Sequence, residues 1–342
     1  MKNIGKWLRI SLGSLFSIVV IAWAVRSLDW PQVWRALLSV QMDWILLAVL
    51  SIGLTILVRG WRWGALLHPH PYRARHLFGA LLIGQVVNGM VPARAGDMAR
   101  AYIIGRTTGI SKMRALGTVA LEKLWDIFML LLFTALLWWR FPLPDWLLGP
   151  AKGLAALTGL GVAALGVVLW QQARALRWAT RFSRWLPHPL QDRLLRYSRN
   201  LLAGFKGLQS MRQIGLAGFW SLLTWGLGGL TNYLLFRAFD VPLSFFPAFL
   251  LLVVLQAGIV VPAMPGRIGV FEGICVVVLA LFNVPYPVAF SYGLVLHLVV
   301  FLPPIVPAAA LAWKLNLYRD RSFSLTGPGD PLAGQIQDTP SL

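Results

Sequence analysis

Acidic residues and cysteine are both scarce in this sequence. The 342 residues include 12 acidic side chains against 31 lysines and arginines, and charged residues make up only 13% of the chain. The single cysteine, Cys275, excludes an intramolecular disulfide. Apolar residues account for 58%, and the mean hydropathy is +0.68. This composition excludes a soluble globular class and predicts a protein whose solvent is lipid.

Motifs for nucleotide and metal chemistry are also missing from the sequence. It contains no Gly-x-x-x-x-Gly-Lys loop, and no set of His, Cys and carboxylate residues has the spacing of a metal site. We therefore expect no cofactor, no metal and no catalytic residue, and any transport would be driven by a gradient or by mass action. The net charge of +19 would favour nucleic acid in a soluble protein. At a membrane surface phospholipid competes for basic residues, so we expect phospholipids and no nucleic acid as partners.

Long apolar runs dominate the chain and predict membrane helices, because a lipid-exposed segment must satisfy its backbone polar groups internally. The first run follows Lys2, Lys6 and Arg9 and ends like a signal-peptide cleavage site, and we interpret it as a retained signal-anchor. The runs occupy about 10–25, 44–67, 77–92, 115–139, 151–170, 214–238, 246–264, 268–283 and 288–313.

The distribution of basic residues distinguishes re-entrant hairpins from full crossings among these runs. If 77–105 and 246–283 are re-entrant hairpins, 20 of the 31 lysines and arginines face the cytoplasm and five face outside. This bias matches the positive-inside rule. If each hairpin crossed as a single helix, the basic 106–114 loop would face outside. We therefore predict an all-α integral membrane bundle with about six full spans, two re-entrant hairpins and cytoplasmic N- and C-termini.

The tips of the two predicted hairpins resemble each other. The first reads Pro-Ala-Arg-Ala-Gly-Asp over 92–97, and the second reads Pro-Gly-Arg-Ile-Gly over 265–269, with Glu272 close behind. Proline removes a backbone donor and glycine permits a tight turn, so each tip predicts an unwound break at membrane depth. Since the hairpins enter from opposite sides, we predict an inverted pseudo-repeat, which is typical of transporters with a site near the midplane. A chance match between ordinary loops is the alternative.

Ionisable residues inside apolar runs indicate a candidate site. Glu122 and Asp126 lie one helical turn apart, so both carboxylates share one face of the 115–139 run, and that face is expected to look inward. Arg59 and Arg62, near the end of the second run, either pair with these carboxylates or snorkel to the interface, and we favour snorkelling. For the charged groups of this site, a structural ion-pair network and direct substrate contact both remain open.

Three segments together carry a family resemblance. They are the run Asn-Gly-Met-Val-Pro-Ala-Arg-Ala-Gly-Asp-Met-Ala-Arg-Ala over 88–101, the segment 122–126, and the Pro-Gly-x-Ile-Gly-Val-Phe-Glu pattern over 265–272. With them the chain resembles the transmembrane, flippase-domain family of lysylphosphatidylglycerol synthases, over roughly 10–315.

The resemblance implies a membrane domain that moves a lipid between leaflets. Family members join this domain to a soluble domain that transfers an aminoacyl group. No such domain occurs in these 342 residues, so we expect neither aminoacyl transfer nor another enzyme activity. Arg267 stands where the family commonly has glycine, and an added cation repels a cationic head group. We therefore expect the cargo to be an anionic or zwitterionic phospholipid or a lipid-linked intermediate.

The candidate translocation residues are the polar and charged side chains of the hairpin tips and of the charged helix faces. They are Asn88, Arg94, Asp97, Arg100, Glu122, Asp126, Arg267 and Glu272. The lone polar residues His297 and Asn232, inside later runs, are expected to hydrogen-bond between packed helices.

Two other functions are open. A membrane-embedded enzyme acting on a lipid head group would use Asp97, Glu122 and Asp126 as acids and bases. A scaffold would recruit a partner through the basic 171–213 segment, whose arginines recur at helical spacing between aromatic residues.

The chain is expected to form one integral domain over 1–320. The 171–213 segment would be its cytoplasmic crossover, and 321–342 a disordered tail. We place this multi-pass protein in the cytoplasmic (inner) membrane of the cell. A homo-oligomer and a separate soluble enzyme partner both fit this organisation.

Overall fold

The computed structural model describes residues 29–68, 70, 72–91, 95–140, 211–258 and 265–314, with isolated positions between 149 and 200. Several predictions lie outside the described residues. They concern the 10–25 and 151–170 runs, nearly all of the 171–213 crossover, the 321–342 tail and Arg94.

Helices account for all regular secondary structure within the described ranges, which confirms the all-α class. A short 3₁₀ turn, Pro265–Arg267, precedes the eighth helix. The helices are α1 (Trp30–Leu38), α2 (Met42–Leu67), α3 (Ala74–Met90), α4 (Ala95–Thr108), α5 (Lys112–Arg140), α6 (Met211–Ala238), α7 (Phe245–Gly258), α8 (Val270–Ala280), α9 (Tyr286–Phe301) and α10 (Ile305–Lys314).

Three segments of the described chain are both long enough and apolar enough to cross a membrane. They are α2, α6 and the α9–α10 pair over Tyr286–Trp313, each at least 26 residues long and strongly apolar. At 1.5 Å per residue such helices exceed the hydrocarbon thickness of about 30 Å. Helix α5 is equally long, with 29 residues, but carries Glu122, Lys123 and Asp126 in its first half. The chain is therefore a membrane protein, while the number of six spans stays a prediction.

The same order of elements occurs twice in the described chain. Long α2, short α3 and α4, and long α5 are matched by long α6, short α7 and α8, and the α9–α10 segment. Within each half the two short helices pack against each other, at the places predicted for the hairpins. The depth of these helix pairs in the membrane stays a prediction.

The two halves pack on each other reciprocally. Helices α2 and α6 form the main contact between the halves. Helix α3 of the first half packs on α10 of the second half, and α7 of the second half packs on α5 of the first. Each hairpin thus packs on the last described segment of the opposite half, which is α9–α10 for the first hairpin and α5 for the second.

Two large apolar clusters and a small third one, formed by Leu66, Leu121 and Ala217, fill the described bundle. The smaller of the two large clusters joins α2 to α5 around the fully buried Trp63. The larger one joins α6 to α9 with parts of α2 and α5. In it Phe133 of α5 stacks on Trp225 at 5.6 Å and contacts Phe249 at 4.8 Å between ring centroids. These rings fix α5, α6 and α7 against one another.

Proline and glycine set the breaks between the helices. The Pro303–Pro304 pair separates α9 from α10, because neither residue supplies a backbone donor. Gly266 and Gly269, before α8, take positive φ angles of 78° and 88°, which only glycine adopts freely. Arg267 between them also has a positive φ, 59°. This conformation costs a non-glycine residue about 1–3 kcal/mol.

A histidine between α2 and α3 anchors the start of α5. The Arg114 guanidinium lies 2.8 Å from Nε2 of His70 and donates to it, which requires a neutral imidazole. Partial burial, together with this guanidinium, holds the pKa of His70 below its ordinary value.

Candidate functional site

Glu122 of α5 is the centre of a buried charge cluster. Its Oε1 accepts from Nη2 of Arg62 at 2.9 Å, and its Oε2 accepts from Nη2 of Arg100 at 2.6 Å. Nη2 of Arg59 lies 3.8 Å from Oε1. The side chain of Arg62 is fully buried, so the expectation that it snorkels to the interface was wrong. Paired with carboxylates, the guanidinium is more stable inside the bundle than alone at membrane depth.

Asp126 extends this cluster by one turn of α5. It accepts from Nη1 of Arg62 at 2.7 Å, and the same Nη1 lies 3.2 Å from the Ser221 hydroxyl of α6. The prediction that Glu122 and Asp126 share an inward face is confirmed. Arg62 therefore ties α2 to α5 and α6 in one network.

Arg100 of α4 is held by an aromatic face as well as by Glu122. Its guanidinium carbon lies 4.7 Å from the centre of the Trp63 ring. The indole N–H of Trp63 donates to the Thr118 hydroxyl at 3.0 Å. Trp63 is fully buried, so these contacts fix α4 against α2 and α5.

The first hairpin is closed by a side-chain cap. Oδ1 of Asn88, near the end of α3, accepts the backbone N–H of Gly96 at 2.8 Å. The Asn88 amide donates to Oδ1 of Asp97 at 3.2 Å, and Nζ of Lys123 lies 3.7 Å from Oδ2. The cap satisfies an orphan donor at the start of α4. It also brings the helix pair together where Gly84 meets Gly96.

The cluster as a whole carries an excess of positive charge. Four cations meet three carboxylates, a formal excess of one positive charge. The cations are Arg59, Arg62, Arg100 and Lys123, and the carboxylates are Asp97, Glu122 and Asp126. An anion near this cluster would be attracted strongly, because water screens poorly inside a bundle.

The second hairpin presents a different polar pair. Oε2 of Glu272, in the first turn of α8, accepts the backbone N–H of Gly269 at 2.6 Å. Its Oε1 lies 2.6 Å from Nδ1 of His297 on α9. His297 is thus a helix-packing hydrogen bonder, as predicted, and so is Asn232, whose amide donates to the Ala248 carbonyl at 3.0 Å.

A cavity of about 810 Å³ lies between the two halves. Its walls come from α2, α3 and α5 on one side and from α6 to α10 on the other, and both hairpin ends border it at Gly89 and Gly266. Much of the wall is apolar, including Ile56, Leu252 and Ile274. The polar and charged side chains that line it include Arg59, Asn88, Lys123, Asp126, Arg267 and His297.

The candidate residues divide by their place around this cavity. Three of them, Asn88, Asp126 and Arg267, line it. The others within the described residues lie behind the wall: Asp97, Arg100, Glu122 and Glu272.

Among the charged or titratable side chains of the wall, sequence reasoning did not name Arg59, Lys123 and His297 as candidates. The signal for Arg59 and Lys123 was their charge inside an apolar run beside a candidate residue. In the described part of the chain, no three His, Cys, Asp or Glu residues are grouped so that they could hold a metal ion.

Comparison with known proteins places the chain in a family. The family model described as the lysylphosphatidylglycerol synthase TM region matches residues 10–308. A UPF0104 membrane protein of Methanothermobacter thermautotrophicus is 27% identical over 323 residues, which cover 88% of this chain and 91% of the relative. A UPF0104 membrane protein of Methanocaldococcus jannaschii is 23% identical, over 66% of this chain and 92% of the relative.

A more distant similarity involves a larger protein. The glycosyltransferase AglD of Haloferax volcanii is 28% identical over 120 residues, which cover 34% of this chain and 19% of that protein. The family match, by contrast, spans all the described helices from α1 to α9. The chain therefore belongs to the family of the lysylphosphatidylglycerol synthase transmembrane region.

Proposed function

We propose that this protein moves an anionic phospholipid or a lipid-linked intermediate between the leaflets of the cytoplasmic membrane. The observation that carries this proposal is the cavity between the two halves, whose wall is cationic in one part and apolar in another. A lipid has the matching division into head group and acyl chains. The volume of 810 Å³ falls within the range of ligand sites, about 300–1,000 Å³.

The head group would lie against the cations of the wall. The side chains of Arg59 and Lys123 are 24% and 26% exposed, so both reach the cavity while their other contacts remain. Arg267 reaches it from the second hairpin. A guanidinium matches two phosphate oxygens at once, which favours a phosphate-bearing head group. The acyl chains would follow the apolar wall.

The alternative of an enzyme has less support from the geometry. A catalytic acid or base needs a proton to exchange, but Asp126, the cluster carboxylate that lines the cavity, accepts a charge-assisted bond from Arg62 at 2.7 Å. Such a contact occupies the carboxylate as an acceptor and holds it in place. Because one relative is named a glycosyltransferase, sugar-bearing lipids are included among the cargoes to be tested. A separate soluble enzyme partner would supply or consume the cargo.

Inverted topology of the two halves is part of the proposal. Support comes from the repeated order of elements and the reciprocal packing of each hairpin on the opposite half. The hairpins would re-enter the membrane and both termini would face the cytoplasm, as the basic residues predict.

Cysteine labelling tests this topology. We expect Arg73→Cys and Ser111→Cys, which flank the first hairpin, to react with an impermeant thiol reagent from the same, cytoplasmic side. Asp240→Cys, in the exposed α6–α7 loop, should react from the other side. The native Cys275 is buried and gives a low background. Reaction of Arg73→Cys and Ser111→Cys from opposite sides would show that the first hairpin crosses the membrane.

Transport itself is tested in proteoliposomes. The panel would contain fluorescent phosphatidylglycerol, phosphatidylcholine, lysylphosphatidylglycerol and a lipid-linked sugar phosphate, with leaflet-specific quenching as the readout. We expect the anionic cargoes to move faster than in protein-free vesicles, and the cationic lipid to move least. Movement of no lipid in the panel would contradict the proposal.

Arg267→Gly separates the transport role of this residue from a structural role. Glycine adopts this positive φ freely, but it also gains conformational entropy in the unfolded chain, so the free energy of unfolding should stay unchanged or rise by about 1 kcal/mol. Translocation of phosphatidylglycerol should fall, because a cavity cation is lost. Asp240→Gly is the matched control, since Asp240 has a similar φ of 52° in an exposed loop away from the cavity. A lowered melting temperature with unchanged transport would identify Arg267 as a structural residue.

A further inference from the structure

The pair formed by Glu272 and His297 is a built polar site at the edge of the cavity. The carboxylate side chain is 6% exposed and the imidazole 12% exposed. His297 lines the cavity, while Glu272 lies behind it. Nothing in the proposed lipid contacts uses this pair, although it lies inside an otherwise apolar part of the bundle.

Close packing of α8 on α9 brings the two groups together. Gly293 lies one turn before His297 on α9, and a Cβ there would lie 3.1 Å from both Cα of Glu272 and Cβ of Cys275. The absence of a side chain at Gly293 lets α8 approach to this distance. Glu272 therefore meets Nδ1 of His297 at 2.6 Å.

The hydrogen bonds of Glu272 assign the proton within the pair. Its Oε2 accepts the Gly269 N–H, so this oxygen acts as an acceptor. Its Oε1 then accepts from Nδ1 of His297, as a carboxylate does when it orients an imidazole. In the neutral imidazole, Nε2 is consequently the nitrogen without a proton.

Two aromatic rings pack against the imidazole. The Phe271 ring lies 4.9 Å and the Phe301 ring 4.6 Å from the imidazole, measured between centroids. These rings and the Glu272 carboxylate hold the imidazole in place between α8 and α9. Imidazole is also the side chain that ordinarily titrates between about pH 5 and 8.

The other ionisable groups on the surrounding elements are the following. On α8 and α9 the neighbours are the buried Cys275 and Tyr292, and the Tyr292 hydroxyl donates to the Asn232 carbonyl at 3.1 Å. Helix α7 contributes none. Helix α1 contributes Arg35 and α6 contributes Arg237, while the charged groups that line the same cavity are Arg59, Lys123, Asp126 and Arg267.

We infer that the Glu272–His297 pair binds the proton that couples lipid movement to a proton gradient. This inference rests on the proposed function. A proton from water adds to Nε2 of His297 when an anionic head group enters the cavity, and it returns to water when the head group leaves. Only this N–H bond forms and breaks.

Charge balance explains why proton and lipid move together. With an empty cavity the pair carries one negative charge, from Glu272. With a monoanionic lipid and one bound proton, the pair and the lipid together again carry one negative charge. Each ligand therefore favours binding of the other, and by linkage the effect is reciprocal. Lipid and proton cross in the same direction, one for one.

The test uses the purified full chain in vesicles whose interior is one pH unit more alkaline than the exterior. The probe is phosphatidylglycerol with a fluorophore on one acyl chain, and dithionite quenches the outer leaflet. We expect the ratio of inner- to outer-leaflet probe to rise by up to about tenfold, the limit for one proton per lipid. A trapped pH dye should report proton entry with the lipid, and a protonophore should abolish the accumulation. Protein-free vesicles should show neither effect.

Variants then assign the effect to the pair. His297→Gln and Glu272→Gln should each remove the accumulation and the proton entry. His76→Gln, at a partly exposed histidine outside the cavity wall, should leave both at wild-type values. Each variant is compared at equal amounts of folded protein, measured by thermal melting.

The possible failures are distinguishable. If wild-type protein moves phosphatidylglycerol but its distribution ignores the pH gradient, proton coupling is overturned and the lipid transport proposal stands. If folded His297→Gln still accumulates lipid, the assignment to this pair is overturned. If wild-type protein moves no lipid, the proposed function is overturned and the inference falls with it.

Discussion

Glu122→Gln should destabilise the protein by about 3–5 kcal/mol and abolish transport. The substitution keeps the shape of the side chain and removes only its charge. Glu122 is fully buried and pairs with both Arg62 and Arg100. Arg62 would keep Asp126 as its partner, but the nearest carboxylate oxygen of Asp97 lies 4.0 Å from Nε of Arg100. An uncompensated buried charge accounts for a loss of this size.

Thermal unfolding in detergent, followed by tryptophan fluorescence, measures this change. Asp43→Asn is the control, because it makes the same change from carboxylate to amide at an exposed position of α2. Adding Arg100→Gln to Glu122→Gln should recover part of the lost stability, since the unpaired cation is removed with its partner. An unchanged melting temperature for Glu122→Gln would show that the cluster does not depend on this charge.

Gly96→Ala should disrupt the first hairpin. A Cβ at this position would overlap the backbone carbonyl oxygen of Gly84 and lie 2.8 Å from the amide carbon and backbone nitrogen of Asn88. Two of these contacts are backbone atoms, so no side-chain rotation relieves them. The helices α3 and α4 would have to separate, and the Asn88 cap on the start of α4 would lengthen. We expect a loss of about 1–3 kcal/mol, the usual cost of overpacking.

Gly53→Ala provides the matched control for this substitution. Gly53 lies inside α2, and a Cβ there would meet no atom within 4 Å. Alanine is favoured over glycine in a helix by up to about 1 kcal/mol, so this variant should be as stable as the wild type or more stable. Equal melting temperatures for Gly96→Ala and Gly53→Ala would show that the hairpin tolerates separation at this contact.

Helix type and helix breaks could be predicted because local chemistry determines them. Continuous apolar runs exclude soluble structure. The Pro- and Gly-rich motif at 92–97 lies between α3 and α4, and the motif at 265–269 directly precedes α8. Which helices touch was not predictable in the same way. The packing of α3 on α10 joins segments far apart in the chain, and apolar composition does not distinguish a protein-facing side from a lipid-facing one.

The charged face of α5 could be predicted because Glu122 and Asp126 are four residues apart on one helix. The position of the Arg62 side chain could not be predicted. Its distance from the helix end suits both snorkelling and pairing, and only the rotation of α2 decides between them. Likewise, the sequence marks Glu272 and His297 as polar residues in apolar runs. Their contact depends on the close approach of α8 and α9 at Gly293.

Reciprocal packing of the halves has a consequence for biosynthesis. Helix α3 leaves the ribosome more than 200 residues before α10, the helix that covers it. At ordinary elongation rates of 5–20 residues per second, this delay is about 10–40 s. During that interval the first half must remain in the lipid with its hairpin uncovered. The packing of α3 is therefore completed only after α10, the last of the described helices, has been translated.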